Sequence, residues 1–187
     1  MKRLLDIIIS FIALCICILP MICIAVAIKL TSKGPILFKQ KRVGVNETYF
    51  QIYKFRTMYI NTPNVSTESL GDPGKYITSL GKFLRKTSLD ELPQLLNILR
   101  GDMAIVGPRP ALYNQYELIE SREKLGVNSI RPGLTGYAQI MGRDFISDNQ
   151  KVEYDYYYLK NKSLLFDLKI MWQTVFSVAK ADGVKVK

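Results

Sequence analysis

"IIISFIALCICILPMICIAVAI", Ile7 to Ile28, carries no charged residue. Its reading decides the architecture, because such a segment crosses a membrane, dips into one, or is removed as a leader. As a straight helix it would measure about 33 Å, against a hydrocarbon thickness of about 30 Å. That suits a single span. A signal peptide is another reading: Lys2 and Arg3 form a basic start, and "AVA" at 25–27 resembles a cleavage site. Two features point elsewhere. Lys2 and Arg3 precede the segment, and Lys29, Lys33, Lys39, Lys41 and Arg42 follow it. The positive-inside rule then puts both ends on the cytoplasmic face, which one span cannot satisfy. Pro20 sits mid-segment, where it removes a backbone hydrogen bond and bends a helix. A re-entrant hairpin of two half-helices meeting near Pro20 ranks first, a single span second and a signal peptide third. Residues 1–30 are thus expected to anchor a cytosolic domain, 31–187.

The whole chain has 187 residues and a formal charge of +10, from 26 Lys and Arg against 16 Asp and Glu. An excess of this size suits an anionic partner such as a phosphate ligand or acidic headgroups. There is no His, which removes the usual general base near pH 7 and the commonest zinc ligand. Cys15, Cys17 and Cys23 all lie inside the apolar segment, so they read as small hydrophobes. Acid–base or metal chemistry falls to carboxylates, Lys and Tyr.

The body reads as α+β, helix-rich with a small β-hairpin or sheet. "GPILFKQKRVG" and "TYFQIYKFRTM" are short strands around a turn at Gly44–Glu47, with Phe50, Ile52 and Lys54 alternating on one face. Asn61 to Lys75 is a polar loop, and Ile77 to Leu84 a short helix ending in Arg85 and Lys86. "MAIVG" is a buried strand or turn, and "GPRP" at 107–110 a rigid loop presenting Arg109. Ala111 to Leu125 is expected to be helical. "IRPGLTGYAQIMGRD", 130–144, is Gly-punctuated and expected to be irregular, exposing Arg131 and Arg143. Helices are expected over Asp148–Leu159 and Ser163–Ala181, carrying Asp155 and Asp167.

"TSLDELPQLLN", Thr87 to Asn97, sets Asp90 and Glu91 side by side at the start of an apolar run. Ser88 and Glu91 fit a capping box, and acids at a helix start are stabilised by its dipole. Pro93 favours Asp90 as the cap, since Pro is then at a position whose missing N–H is no loss. Such a helix should run to Arg100 and stop at Gly101. Caps far outnumber catalytic pairs, so chemistry needs support from elsewhere in the chain.

That support is a convergence on phosphate. No G-x-x-x-x-G-K-[ST] or G-x-G-x-x-G occurs, so basic side chains and a metal must hold any phosphorylated ligand. Arg85, Arg109, Arg131 and Arg143 are each bracketed by Gly, Pro or a helix end, and the guanidinium fork suits phosphate oxygens. Singly, each is as well explained as a solvated surface arginine. Asp90, Glu91, Asp155 and Asp167 offer hard oxygen ligands suited to Mg²⁺. Asp155 and Asp167 serve equally well as salt-bridge partners. An ionised Asp can also attack phosphorus and form an acyl phosphate. Nucleic acid is excluded as a partner: the Tyr-rich "YDYYY" lies beside acids and no Lys/Arg block occurs.

Three ordered blocks, "IYKFRTM" (52–58), "LRKTSLDELPQLLNILRGDMAIVGPRP" (84–110) and "IRPGLTGYAQIMGRD" (130–144), resemble the bacterial sugar transferase family, the monotopic phosphoglycosyl transferases. "TPNV", "ALYNQYELIE" and "QKVEYDYYY" are most similar to its short capsular-polysaccharide members. The resemblance implies transfer of a sugar-1-phosphate from a UDP-sugar to undecaprenyl phosphate, with release of UMP, through a phosphosugar on an aspartate. This step would start capsule or exopolysaccharide assembly at the cytoplasmic membrane, with the catalytic domain on the cytoplasmic face.

On this resemblance Asp90 and Glu91 are catalytic: Asp90 is the nucleophile, and Glu91 helps hold Mg²⁺ with it and assists proton handling. Lys54, Arg85 and the loop Pro108–Arg109–Pro110 match its substrate-binding positions, with Asp155 and Asp167 at later acidic positions; Arg131 and Arg143 are added to the substrate-binding set as loop arginines suited to phosphate. Lys2, Arg3, Asp6 and Pro20 match the family's anchor, although Leu19 stands where the family has Ser before the proline. The sugar is not readable, but the capsule-type likeness tilts towards an N-acetylated deoxy-sugar over galactose or glucose. The last helices offer a surface for a homodimer. Two rival readings are a non-enzymatic anchored scaffold for anionic lipid and a membrane phosphohydrolase with water as acceptor.

Overall fold

In a computed structural model, residues 1–63, 70, 72–142 and 145–180 are described. The architecture is α+β, with an apolar N-terminal helix lying along a helix-rich body. Helix α1 runs from Lys2 to Thr31. Asp6, Ser10 and Ile28 are buried, and Ala13, Leu14, Met21, Ile24 and Ala25 pack on the core between them. Steps of three and four residues place all of these on one helical face. The opposite face exposes Leu4, Ile8, Phe11, Ile12, Ile16, Leu19, Ile22, Val26 and Leu30.

The expectation of two half-helices is modified here. The helix runs through Pro20, which is exposed. A proline ring removes one intrahelical bond, and strongly apolar flanks carry the helix past it. Both ends of α1 are tied to the same body. Arg3 donates to the carbonyls of Ile98 (2.7 Å) and Leu99 (3.2 Å). The Asp6 carboxylate accepts the N–H of Ile105 at 3.2 Å. At the far end Ile28 is buried with Phe55 and Leu84.

Strands β1 (Leu37–Val43) and β2 (Tyr49–Phe55) form the expected antiparallel hairpin, with Gln40 opposite Ile52 and Phe38 opposite Lys54. Val45–Glu47 makes the turn. Period-two alternation sends Gln40 and Ile52 inward and leaves Lys39, Lys41 and Tyr49 outside. Helix α2 (Ser79–Lys86) starts at Thr78, whose hydroxyl accepts the Gly81 N–H. Helix α3 (Gln94–Arg100) ends at Gly101, whose φ of +101° needs a residue without Cβ.

Two segments differ from the sequence reading. Residues 111–115 are not helical, because Ala111 accepts the Val43 N–H and Leu112 bridges Arg42; helix α4 begins at Tyr116 and ends at Lys124. The 130–144 segment is not irregular throughout. It holds strand β4 (Gly133–Thr135), paired in parallel with β3 (Ala104–Val106), and helix α5 (Tyr137–Met141). Its glycine is a packing requirement: a Cβ at Gly133 would lie 2.2 Å from the Gly107 nitrogen. Arg143 and, of the expected loop at 61–75, residues 64–69 and 71 lie outside the described residues.

Helix α6 (Asp148–Asn161) opens with a capping box between Ser147 and Gln150. Helix α7 (Leu164–Lys180) follows and leaves Leu165, Leu168, Trp172, Val175 and Phe176 exposed. The main core joins Ile52, Leu95, Ile98, Met103, Ile105, Val106, Tyr158 and Ile170, so β2, α3, β3, α6 and α7 share one interior. That interior fixes the relative positions of the elements carrying the candidate site.

Candidate active site

Asp90 and Glu91 lie in a 3-10 turn, Leu89–Glu91, which precedes α3. Neither expected cap is realised. Ser88 makes no side-chain cap bond, Asp90 sits inside the turn, and α3 starts after Pro93. Ser88 has a left-handed backbone (φ +55°), uncommon for a residue with a Cβ. This reversal swings the turn back across the end of α2, so that Arg85 acts electrostatically on Asp90.

Asn97, fully buried, locks α3 to the hairpin. Its Oδ1 accepts the Tyr53 N–H at 3.0 Å, and its Nδ2 donates to the Gln51 carbonyl at 2.8 Å. The amide thus takes up backbone groups of β2 that would otherwise lack partners. It also brings Lys54, on β2, to the acidic turn. Lys54 Nζ lies 2.7 Å from Glu91 Oε1. Arg109, on the loop after β3, reaches the same oxygen at 3.3 Å. Asp90 and Glu91 are both nearly buried, at 8% and 9% exposure. Among the described residues Asp90 accepts no hydrogen bond, although Lys54, Arg85 and Arg109 surround it.

Burial pushes the Asp90 carboxyl up to about 6; Lys54 opposes the shift, and the Glu91 charge adds to it. This corrects the expectation that a helix dipole would ease its ionisation. Asp90 is not at the start of α3, and loss of water outweighs the nearby cations. Burial likewise lowers Lys54, with Glu91 opposing.

A further cation belongs to the cluster that sequence reasoning used only as a membrane flank. Arg42 on β1 is pushed down to about 9 by burial and by the like charge of Arg109, and remains a cation at neutral pH. Its signal was present: Arg42 alternates with Gln40, which faces inward.

The other expected site residues are placed elsewhere. Arg131 is exposed and donates to the Gly101 carbonyl, at the opposite end of α3. Asp155 is 1% exposed and paired with Arg122, and burial raises its carboxyl against the pull of that arginine. Asp167 is buried between Tyr158, which donates to it at 2.6 Å, and Lys2. Asp167 gives both carboxylate oxygens to protein partners and Asp155 gives Oδ2 to Arg122, so neither is among the groups that act on the Asp90–Glu91 pair. Pro108 and Pro110 are buried, so only Arg109 of that loop extends to the acids.

Among the described residues no three acids, cysteines or histidines cluster to enclose a metal. Two carboxylates are nevertheless what a Mg²⁺ site offers when substrate phosphates and waters complete it. The buried, unbonded Asp90 beside Glu91 fits that donor set.

A buried acid pair ringed by Lys54, Arg85, Arg109 and Arg42 is suited to a substrate that brings negative charge. Residues 1–181 match one protein family, described as bacterial sugar transferase. The chain belongs to the bacterial sugar transferase family. The transferase is 38% identical to "Uncharacterized sugar transferase EpsL" of Bacillus subtilis, over 99% of this chain and 90% of that protein. It is 39% identical to "Exopolysaccharide production protein ExoY" of Sinorhizobium fredii, over 97% of this chain and 87% of that one. It is 41% identical to the UDP-glucose:undecaprenyl-phosphate glucose-1-phosphate transferase of Escherichia coli, over 94% of this chain but only 39% of that longer protein.

Proposed function

We propose that this transferase moves a sugar-1-phosphate from a UDP-sugar to undecaprenyl phosphate, in two displacements at Asp90. The observation that carries the reading is the buried Asp90 carboxylate, which accepts no hydrogen bond yet lies among three cations. The name of the Escherichia coli relative supports the substrate classes.

In the first displacement an Asp90 oxygen bonds to the phosphorus that carries the sugar. The bond from that phosphorus to the bridging oxygen breaks, and UMP leaves with the electron pair. In the second, an oxygen of undecaprenyl phosphate bonds to the same phosphorus and the Asp90–phosphorus bond breaks. The product is a lipid-linked diphosphosugar, and Asp90 is regenerated. Arg109, Arg85 and Lys54 offset charge as it moves onto the departing phosphate. Glu91, engaged by Lys54 and Arg109, keeps those cations aimed at the site. Asp90 and Glu91 would hold Mg²⁺, which when bound supplies Lewis acidity towards phosphate oxygens.

The anchor is read as monotopic, a continuous helix resting its apolar face in the membrane. The exposed apolar face of α1 is too extensive to rest in water, and both helix ends are tied to one body. A lipid phosphate at headgroup depth is then reachable without a span. The flanking lysines and arginines favour the cytoplasmic face.

The test is UMP release by the purified chain in lipid nanodiscs with Mg²⁺ and a panel of UDP-sugars, with and without undecaprenyl phosphate. Sustained UMP release that needs the lipid phosphate, with a lipid-linked product, is expected. Equal release without it, as free sugar phosphate, would make the protein a phosphohydrolase. No release from any UDP-sugar would leave the scaffold reading.

A further inference from the structure

The Pro108–Arg109–Pro110 loop is held by its carbonyl oxygens. Each proline lacks an N–H, so the segment cannot build a ladder of its own. Its four consecutive carbonyls, from Pro108 to Ala111, are all taken from outside. Gly133 N–H donates to Pro108 at 2.8 Å and Val43 N–H to Ala111 at 3.0 Å. The two between them accept from guanidinium groups. Arg122 Nη1 donates to the Arg109 carbonyl, and Arg42 Nη1 to the Pro110 carbonyl, each at 2.9 Å.

Both guanidinium groups are oriented by a second contact. Arg122 Nη2 donates to Asp155 Oδ2 at 2.5 Å, and Arg42 Nη2 to Gln40 Oε1 at 2.6 Å. Arg122 and Asp155 come from α4 and α6 and are 5% and 1% exposed, which rules out contact with a substrate. A buried charge pair of this kind is weak as a source of stability, because desolvation offsets its attraction. Its geometry offers something else. The fork of Arg122 joins α6 to the backbone of the residue whose side chain reaches Glu91.

We propose that Arg122 and Arg42 are positioning residues, a double guanidinium clamp that fixes the Arg109 backbone and so aims the Arg109 side chain at Glu91 and at the diphosphate of the substrate. This rests on the reading of the site given above for its substrate, while the clamp itself is a property of the loop. Asp155 acts one step back, by holding Arg122. A lysine cannot replace Arg122, because one ammonium on a flexible stem does not span the carbonyl and the carboxylate in a fixed plane.

The test is a double-mutant cycle on the purified full chain in nanodiscs, read by UMP release from a UDP-sugar the wild type turns over. Hydrogen exchange of the 105–112 peptide is followed in parallel. Arg122→Gln should lower turnover about 100-fold, the scale of a reacting group displaced by roughly an ångström. Combined with Arg109→Ala it should be no slower than Arg109→Ala alone, because the clamp acts only through Arg109. Exchange at 105–112 should rise while that of the β1–β2 hairpin holds, and Arg122→Lys should not restore turnover. Should Arg122→Gln unfold, Asp155→Asn, which loosens Arg122 without altering the cations around the acid pair, carries the same cycle. Losses that multiply, or unchanged exchange at 105–112, would overturn the clamp. Absence of UMP release from the wild type would defeat the functional reading and leave the exchange measurement to decide the clamp.

Discussion

One oxygen of Glu91 accepts from two cations on separate elements, Lys54 at 2.7 Å and Arg109 at 3.3 Å. Asp90, its neighbour in sequence, shares their field but accepts no hydrogen bond. On the proposed reading the two acids have different tasks: Glu91 orders the cations, and Asp90 is left to react.

Replacing Asp90 with Asn should abolish turnover, by on the order of 10⁴-fold, as removal of a nucleophile does elsewhere. It should not unfold the protein. The folded-state pKa of Asp90 is raised, from 3.8 to about 6, so the folded state binds this proton more tightly than the unfolded chain. Stability contributed by this group falls as pH rises through that window, and its ionised form is a liability at pH 7. A neutral Asn removes that liability. The melting temperature at pH 7 should hold or rise, and a fall of many degrees would contradict this account.

The pH profile of turnover follows from the same shift. Above about 6 Asp90 is ionised and able to attack; below it the carboxyl holds its proton. In kcat/KM the acid limb should drop about tenfold per pH unit below pH 6. A profile flat from pH 7 to 5 would speak against Asp90 as the attacking group.

Lys54→Met takes away the shorter of the two described ion pairs of a nearly buried carboxylate. The expected destabilisation is about 1–3 kcal/mol, the usual cost of stranding a buried polar group. UMP release should fall with it. Arg131→Ala should leave turnover within about threefold of wild type, because its only described contact is the Gly101 carbonyl at the far end of α3.

Asp6→Ala strips the buried Ile105 N–H of its acceptor and loosens α1 from β3. A loss of about 1–3 kcal/mol is expected in thermal unfolding. For the anchor, a cysteine appended at the N-terminus and Lys33→Cys, in a background lacking Cys15, Cys17 and Cys23, should label from the same side of a sealed vesicle. Labelling from opposite sides would restore a single span.

Much of the fold was legible because its signals are local. Gly101 marked the end of α3, and the alternation around Ile52 marked the hairpin and its inward face. The cluster of Lys54, Arg85, Asp90, Glu91 and Arg109 was likewise readable from ordered motifs. What escaped was non-local. The β3–β4 pair is three residues a side, too short for periodicity, and Ala111 is drawn out of a helical pattern by Val43. Nothing near Arg122 in sequence announces that it meets Asp155 and the Arg109 carbonyl. The state of Asp90 was misjudged for the same reason. A helix start could be guessed from local sequence, whereas the burial of Asp90 is assembled from distant segments.

The most direct test of the central claim is intact-protein mass spectrometry of the purified chain quenched in acid after mixing with a UDP-sugar and Mg²⁺ but no undecaprenyl phosphate. The account predicts a gain equal to one sugar phosphate, mapped to Asp90, absent from Asp90→Asn and discharged when the lipid phosphate is added. A wild-type enzyme that turns over yet never carries the adduct, or an Asp90→Asn variant that still does, would contradict it.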